Sequence, residues 1–202
     1  MGQLTQTTTE VQSAIDQQYD GDGAVNAGYD DVQGSVGSSQ LGATAPTWRD
    51  YAYGIGGGVT FRALGMAVND ILYLTVQTSH GVKLNTILDE HIHFTPASDS
   101  TGKRAQFQMD VIAAGVDGTW AVPTGSPFTA EAIMATDLSG KHTVLEIGEV
   151  PASNTTVSTL YKLKLTRIAA TQDEFAGEIF VEYMDGHMLR DQERGSRQEY
   201  IK

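Results

Sequence analysis

From about residue 59 onward, apolar and polar residues alternate with a period of two, the mark of strands that bury one face. Leu88, Glu90, Ile92 and Phe94 point one way, while Asp89, His91 and His93 point the other. Residues 104–113 repeat the pattern with Phe107, Met109 and Val111 inward, and Tyr161, Leu163, Leu165 and Arg167 alternate with Leu160, Lys162, Lys164 and Thr166. The run Ile71-Leu72-Tyr73-Leu74-Thr75-Val76 is β-branched and aromatic, which predicts a buried strand. Strands are expected over residues 59–66, 70–78, 88–94, 104–113, 128–136, 142–150, 157–168 and 175–184. No amphipathic helix intervenes and no fixed-period repeat is evident. The predicted fold is all-β, an antiparallel sandwich of about eight strands wired like a jelly roll.

The pattern fails before residue 48. Thr7-Thr8-Thr9-Glu10 has the form of a capping box, and Val11, Ile15 and Tyr19 follow at helical spacing. They predict a short helix with one narrow apolar stripe, ended by Gly21 and Gly23. Residues 20–47 show no sustained period, and Tyr29, Val32, Val36 and Leu41 read as isolated anchors in a flexible tether. Residues 1–47 are thus expected to form an extended N-terminal arm carrying a short helix, and residues 48–202 a β-sandwich domain with a C-terminal tail. The arm contains no Lys or Arg. It has too little apolar surface to offset its own ordering entropy, so it is expected to order against neighbouring chains.

Charge narrows the partners. The chain of 202 residues carries a formal charge of -12, which disfavours binding nucleic acid or anionic lipid through its general surface. There is no Cys, which removes disulfides, thiolate metal sites and Cys nucleophiles. No apolar run is long enough to span a bilayer, and the first residues lack a basic, then apolar, export signal. No membrane and no nucleic-acid partner is expected.

Catalytic chemistry finds little support. Gly54-Ile55-Gly56-Gly57-Gly58 lacks the spacing of a dinucleotide fingerprint, and neither a phosphate-binding GK[ST] sequence nor a G-x-S-x-G elbow occurs. On a strand, His91 and His93 share a face and could bind one metal ion together. A jelly roll bearing H-x-H resembles the cupin superfamily, in which two His, a Glu and a distant His hold a metal. Here no carboxylate follows His93 until Asp99, and the similar stretch Gly118–Gly125 has no His after it. Remote residues such as His80, His142 or His187 would have to complete the set. The expectation is no enzyme, no cofactor and no metal, with both His hydrogen-bonded or packed on a sheet face.

The aliphatic strand Leu74–Thr78, the segment His91-Ile92-His93-Phe94-Thr95-Pro96 and the ending Gly195-Ser196-Arg197-Gln198-Glu199-Tyr200-Ile201-Lys202 resemble a group of small tailed-bacteriophage virion proteins. The opening Leu4-Thr5-Gln6-Thr7-Thr8, with Val11 and Gln12, is similar to starts in the same group. The resemblance implies a β-sandwich subunit of the particle, often trimeric, located in the virion. Within it the expected role is a capsid decoration or cement protein bound to the major capsid protein, with a tail fibre, collar or adaptor subunit as the alternative. The interface candidates are Val11, Ile15 and Tyr19 in the arm, Trp48 at the junction, and Arg194, Arg197 and Tyr200 in the tail. A rival from another class is a cupin-like metal-binding or carbohydrate-binding sandwich. The carbohydrate reading would need Tyr51, Tyr53 and Trp120 gathered on one exposed face.

Overall fold

The computed structural model describes residues 29–190 apart from 55–57, 152–155 and 157. The expected arm helix, with Val11, Ile15 and Tyr19, and the tail residues Arg194, Arg197 and Tyr200 lie outside the described residues.

Two antiparallel sheets face one another. The expected strands are all present: β4 (Phe61–Met66), β5 (Ile71–Gln77), β6 (Leu88–Pro96), β7 (Lys103–Ala114), β8 (Phe128–Met134), β9 (Thr143–Val150), β10 (Leu160–Ile168) and β11 (Ile179–Leu189). One sheet runs β4-β11-β6-β9 and the other β5-β10-β7-β8. Successive strands cross between sheets, except for the β7–β8 hairpin within the second, in the order of a jelly roll, as the even strand spacing predicted. Three further strands come from the chain before β4. These are β1 (Tyr29–Ser35), β2 (Gln40–Leu41) and β3 (Thr47–Tyr51). β3 extends the first sheet at β4, β2 caps β5, and β1 pairs with β11.

The alternation does what its chemistry requires. Ala105, Phe107, Met109, Val111 and Ala113 of β7 are buried, as are Leu163 and Leu165 of β10. Phe94 and Phe107 meet across the sandwich with ring centroids 6.1 Å apart. Arg167 takes an inward position in the same alternation and is fully buried. Its Nη1 donates to the carbonyls of Met66 and Gly177, and its Nη2 to Glu174 and to the carbonyl of Phe175.

Two expectations need correction. Residues 29–47 are not a flexible tether. Val32 and Val36 are core residues, and β1 is hydrogen-bonded along β11 from Tyr29↔Leu189 to Ser35↔Tyr183. Gly34 looked like tether composition, yet a Cβ there would lie 3.0 Å from Val76 Cγ1 and 3.3 Å from Leu74 Cδ2. The glycine lets β1 approach the opposite sheet. Secondly, β5 is buried on one face only. Leu72, Leu74 and Val76 point inward, whereas Tyr73 is 39% exposed.

Candidate functional site

The outer face of the first sheet carries a concentration of ionisable groups placed by β1, β6 and β11. Strand β6 sends Asp89, His91 and His93 outward by simple alternation. Strand β11 needs a device to match it. Its register against β6 shifts between Val181 and Tyr183, so Glu182 is an extra residue that resets the alternation. Tyr183, Asp185 and His187 therefore face outward, while Met184, Gly186 and Met188 face the core. β1 adds Asp31, paired with His187.

The two strands spell the same word in opposite directions. Asp89-x-His91 on β6 lies antiparallel to Asp185-x-His187 on β11, with Asp89 opposite His187 and His91 opposite Asp185. Each histidine thus has a carboxylate two residues away on its own strand and another directly across.

At one end of this face, His93 is held by three neighbours. Its Nε2 lies 2.8 Å from Asp185 Oδ1, its Nδ1 2.7 Å from His142 Nε2, and its ring stacks on Tyr183 at 4.1 Å. The carboxylate fixes the tautomer: Nε2 of neutral His93 donates to Asp185, so Nδ1 accepts from His142. Burial, then the Asp185 and Asp31 carboxylates, push the Tyr183 phenol up from its ordinary value. An Asp–His couple of this kind orients the base in hydrolytic triads. Here the nitrogen that would face a nucleophile is engaged by a second imidazole.

At the other end, His91 Nε2 and Asp89 Oδ2 are 3.7 Å apart, and His187 Nε2 is 3.3 Å from Asp31 Oδ1 and 3.7 Å from Asp185 Oδ2. The His91 and His187 rings sit with centroids 4.4 Å apart. Asp89 Oδ1 and His91 Nδ1 are buried without a hydrogen-bond partner. Beneath them, inward-facing Glu90 is fully buried and both its oxygens lack partners. Burial, reinforced by the Asp185 and Asp89 carboxylates, pushes its carboxyl up to about 8, so it is mainly neutral at pH 7.

The candidate pairing of His91 with His93 on one ion is not how the face is organised. Although they share a face, His93 is committed to Asp185 and His142, whereas His91 groups with Asp89 and His187. His142 and His187 do join the cluster, as His80 does not. Of the interface candidates, Trp48 lies opposite Leu64 on β3 with 39% of its surface exposed. The aromatics needed for a carbohydrate platform are not gathered. Tyr51 and Tyr53 pack on each other and Tyr51 on Phe180. Trp120 lies on the opposite sheet, with Lys162 Nζ 5.5 Å above its ring.

That opposite face holds a cavity of about 430 Å3 lined by Tyr73, Asp110, Ile112, Lys162 and Lys164 among others. Lys164 Nζ pairs with Asp110 at 3.2 Å across its floor. A third feature lies at the sandwich edge. The chain enters the described structure at Tyr29 and reaches the end of β11 at Leu189, and these two residues are paired neighbours. The residues before 29 and after 190 therefore leave from one corner.

No protein-family model matches the chain, and no curated protein matches it. Similar solved structures include the xylan-binding CBM22-1 domain of Paenibacillus barcinonensis Xyn10C, at 9% identity and TM-score 0.43, covering 81% of this chain and 96% of that one. An isomalto-dextranase of Arthrobacter globiformis matches at 13% identity and TM-score 0.40, over 73% of this chain and 22% of its own. The Cry4Aa toxin of Bacillus thuringiensis matches at 14% identity and TM-score 0.41, over 80% of this chain and 23% of its own. This chain thus spans less than a quarter of the dextranase and toxin chains. At these identities the likeness concerns the fold alone.

Proposed function

We propose that this chain is a structural subunit of a tailed-bacteriophage virion, a decoration protein that stabilises the capsid shell by anchoring its terminal segments on neighbouring subunits. The observation that carries the reading is the pairing of Tyr29 with Leu189. It roots residues 1–28, with the stripe Val11, Ile15 and Tyr19, beside residues 191–202, with Arg194, Arg197 and Tyr200. Two weak anchors fixed at one corner act together at high effective concentration, so their combined hold exceeds either alone. An anchor that engages only the assembled lattice stabilises that lattice by mass action. The motif resemblance to phage virion proteins supports the same reading, and a trimeric sandwich would present three such corners to the shell.

The test removes residues 1–28 and leaves β1 intact. The truncated protein is expected to melt like the full chain and to lose most of its occupancy in the particle, measured as copies per virion. Full incorporation of the truncated chain would overturn the anchoring. Copy number in intact particles separates shell from tail: hundreds indicate decoration, and roughly a dozen indicate a collar, fibre or adaptor position.

A further inference from the structure

We propose that Asp89, His91 and His187 form a binding site for a divalent transition ion of the zinc class, which fastens β6 to β11 beside the entry strand β1. The donor atoms of Asp89, His91 and His187 all lie within 4.8 Å of one another, and so do those of Asp31, Asp185 and His187. The two groups share His187.

The separations argue for an ion rather than for hydrogen bonds. The His91–Asp89 and His187–Asp185 contacts of 3.7 Å exceed hydrogen-bond range. Tetrahedral zinc with nitrogen and oxygen ligands at 2.0–2.2 Å spaces its donors roughly 3.4 Å apart. The 3.3 Å from His187 Nε2 to Asp31 Oδ1 and the 3.7 Å from His91 Nε2 to Asp89 Oδ2 fall near that spacing. Small side-chain rotations can bring the donors of Asp89, His91 and His187 in from the 4.8 Å limit that already holds among them.

Burial supplies a second, independent observation. Asp89 Oδ1 and His91 Nδ1 are buried and unpartnered, and Oδ2 and Nε2 of the same two side chains meet only at 3.7 Å, so neither ring nitrogen of His91 is taken up by a hydrogen bond to Asp89. Two imidazoles and a carboxylate suit zinc, cobalt or nickel better than calcium or magnesium, which take all-oxygen shells. Asp185 is already committed on its Oδ1 side to His93 Nε2, which leaves His187 uncommitted to it by any hydrogen bond. The ligands come from the adjacent strands β6 and β11, so binding would cross-link them where His187 also meets Asp31 of β1.

The experiment uses the full chain, freed of metal with a chelator and then titrated with Co2+ and Zn2+. Expected are one Co2+ per chain with visible absorption of a four-coordinate site, displacement by Zn2+, and a higher melting temperature with Zn2+. His187→Gln and Asp89→Asn should each weaken Zn2+ binding by more than about 100-fold, beyond the loss typical of an outer-shell partner. His80→Gln should bind like the parent chain. Absence of saturable binding, or equal loss in His80→Gln, would overturn the site. Should the ligand variants fail to fold, imidazole resonances of the parent chain decide. Co2+ must shift those of His91 and His187 while sparing His80, and the reverse pattern rejects the proposal.

Discussion

Glu90 and Arg167 show how differently the fold treats two buried charges. Arg167 is surrounded by acceptors: the carbonyls of Met66, Gly177 and Phe175 and the Glu174 carboxylate. It stays charged because those oxygens replace its water, although burial lowers its pKa from the ordinary value. Glu90 has no such partners and answers by holding its proton. Its carboxyl moves from 4.5 in the open chain to about 8 in the fold. Between those values the unfolded chain is ionised and the folded one protonated, so stability falls as pH rises through that window and the loss is complete above it. Below it both states hold the proton and no penalty exists. Glu90→Gln is therefore expected to leave the melting temperature nearly unchanged at about pH 4 and to raise it clearly at about pH 9. Thermal melts in chelator check this, and equal shifts at both pH values would show that Glu90 is ionised in the fold.

At the scale of elements, β1 shows what a periodicity argument can and cannot see. The eight strands of the jelly roll were legible because long alternations such as Tyr161-x-Leu163-x-Leu165 survive unbroken. Strand β1 was not, because Val32, Gly34 and Val36 present only two apolar side chains, and the glycine between them counts as polar tether composition. Its burial depends on Val76 and Leu74 across the sandwich, more than 35 residues away in the chain. Gly34→Val should destabilise the fold by about 1–3 kcal/mol through overpacking against Val76. Urea unfolding measures this, and a negligible change would mean that β1 does not press on β5. The site was half legible for a related reason. His91 and His93 stood out as a pair, but strict alternation past Val181 would have turned Tyr183, Asp185 and His187 into the core. Only the extra residue at Glu182 reverses them, and a bulge leaves no periodic trace. The repeated Asp-x-His was the one signal in the letters that pointed to the partnership.

For the whole molecule, the two faces divide the chemistry. The first sheet concentrates histidines and carboxylates, while the second bears Tyr73, Asp110, Lys162 and Lys164 around its cavity. The sandwich core joins them and the terminal segments leave at neither face but at one edge. That placement keeps both ends of the described chain clear of the two faces and their chemistry. It also governs how load enters the protein. Because Tyr29 and Leu189 are paired at the same end of antiparallel strands, tension between the two ends strips β1 from β11 one ladder bond at a time instead of shearing all of them together. Optical-trap extension from both ends should accordingly release the seven residues of β1 first and at low force, before the eight-stranded body yields as a unit. This corner is thus a compliant hinge that gives way and re-zips while the sandwich stays whole.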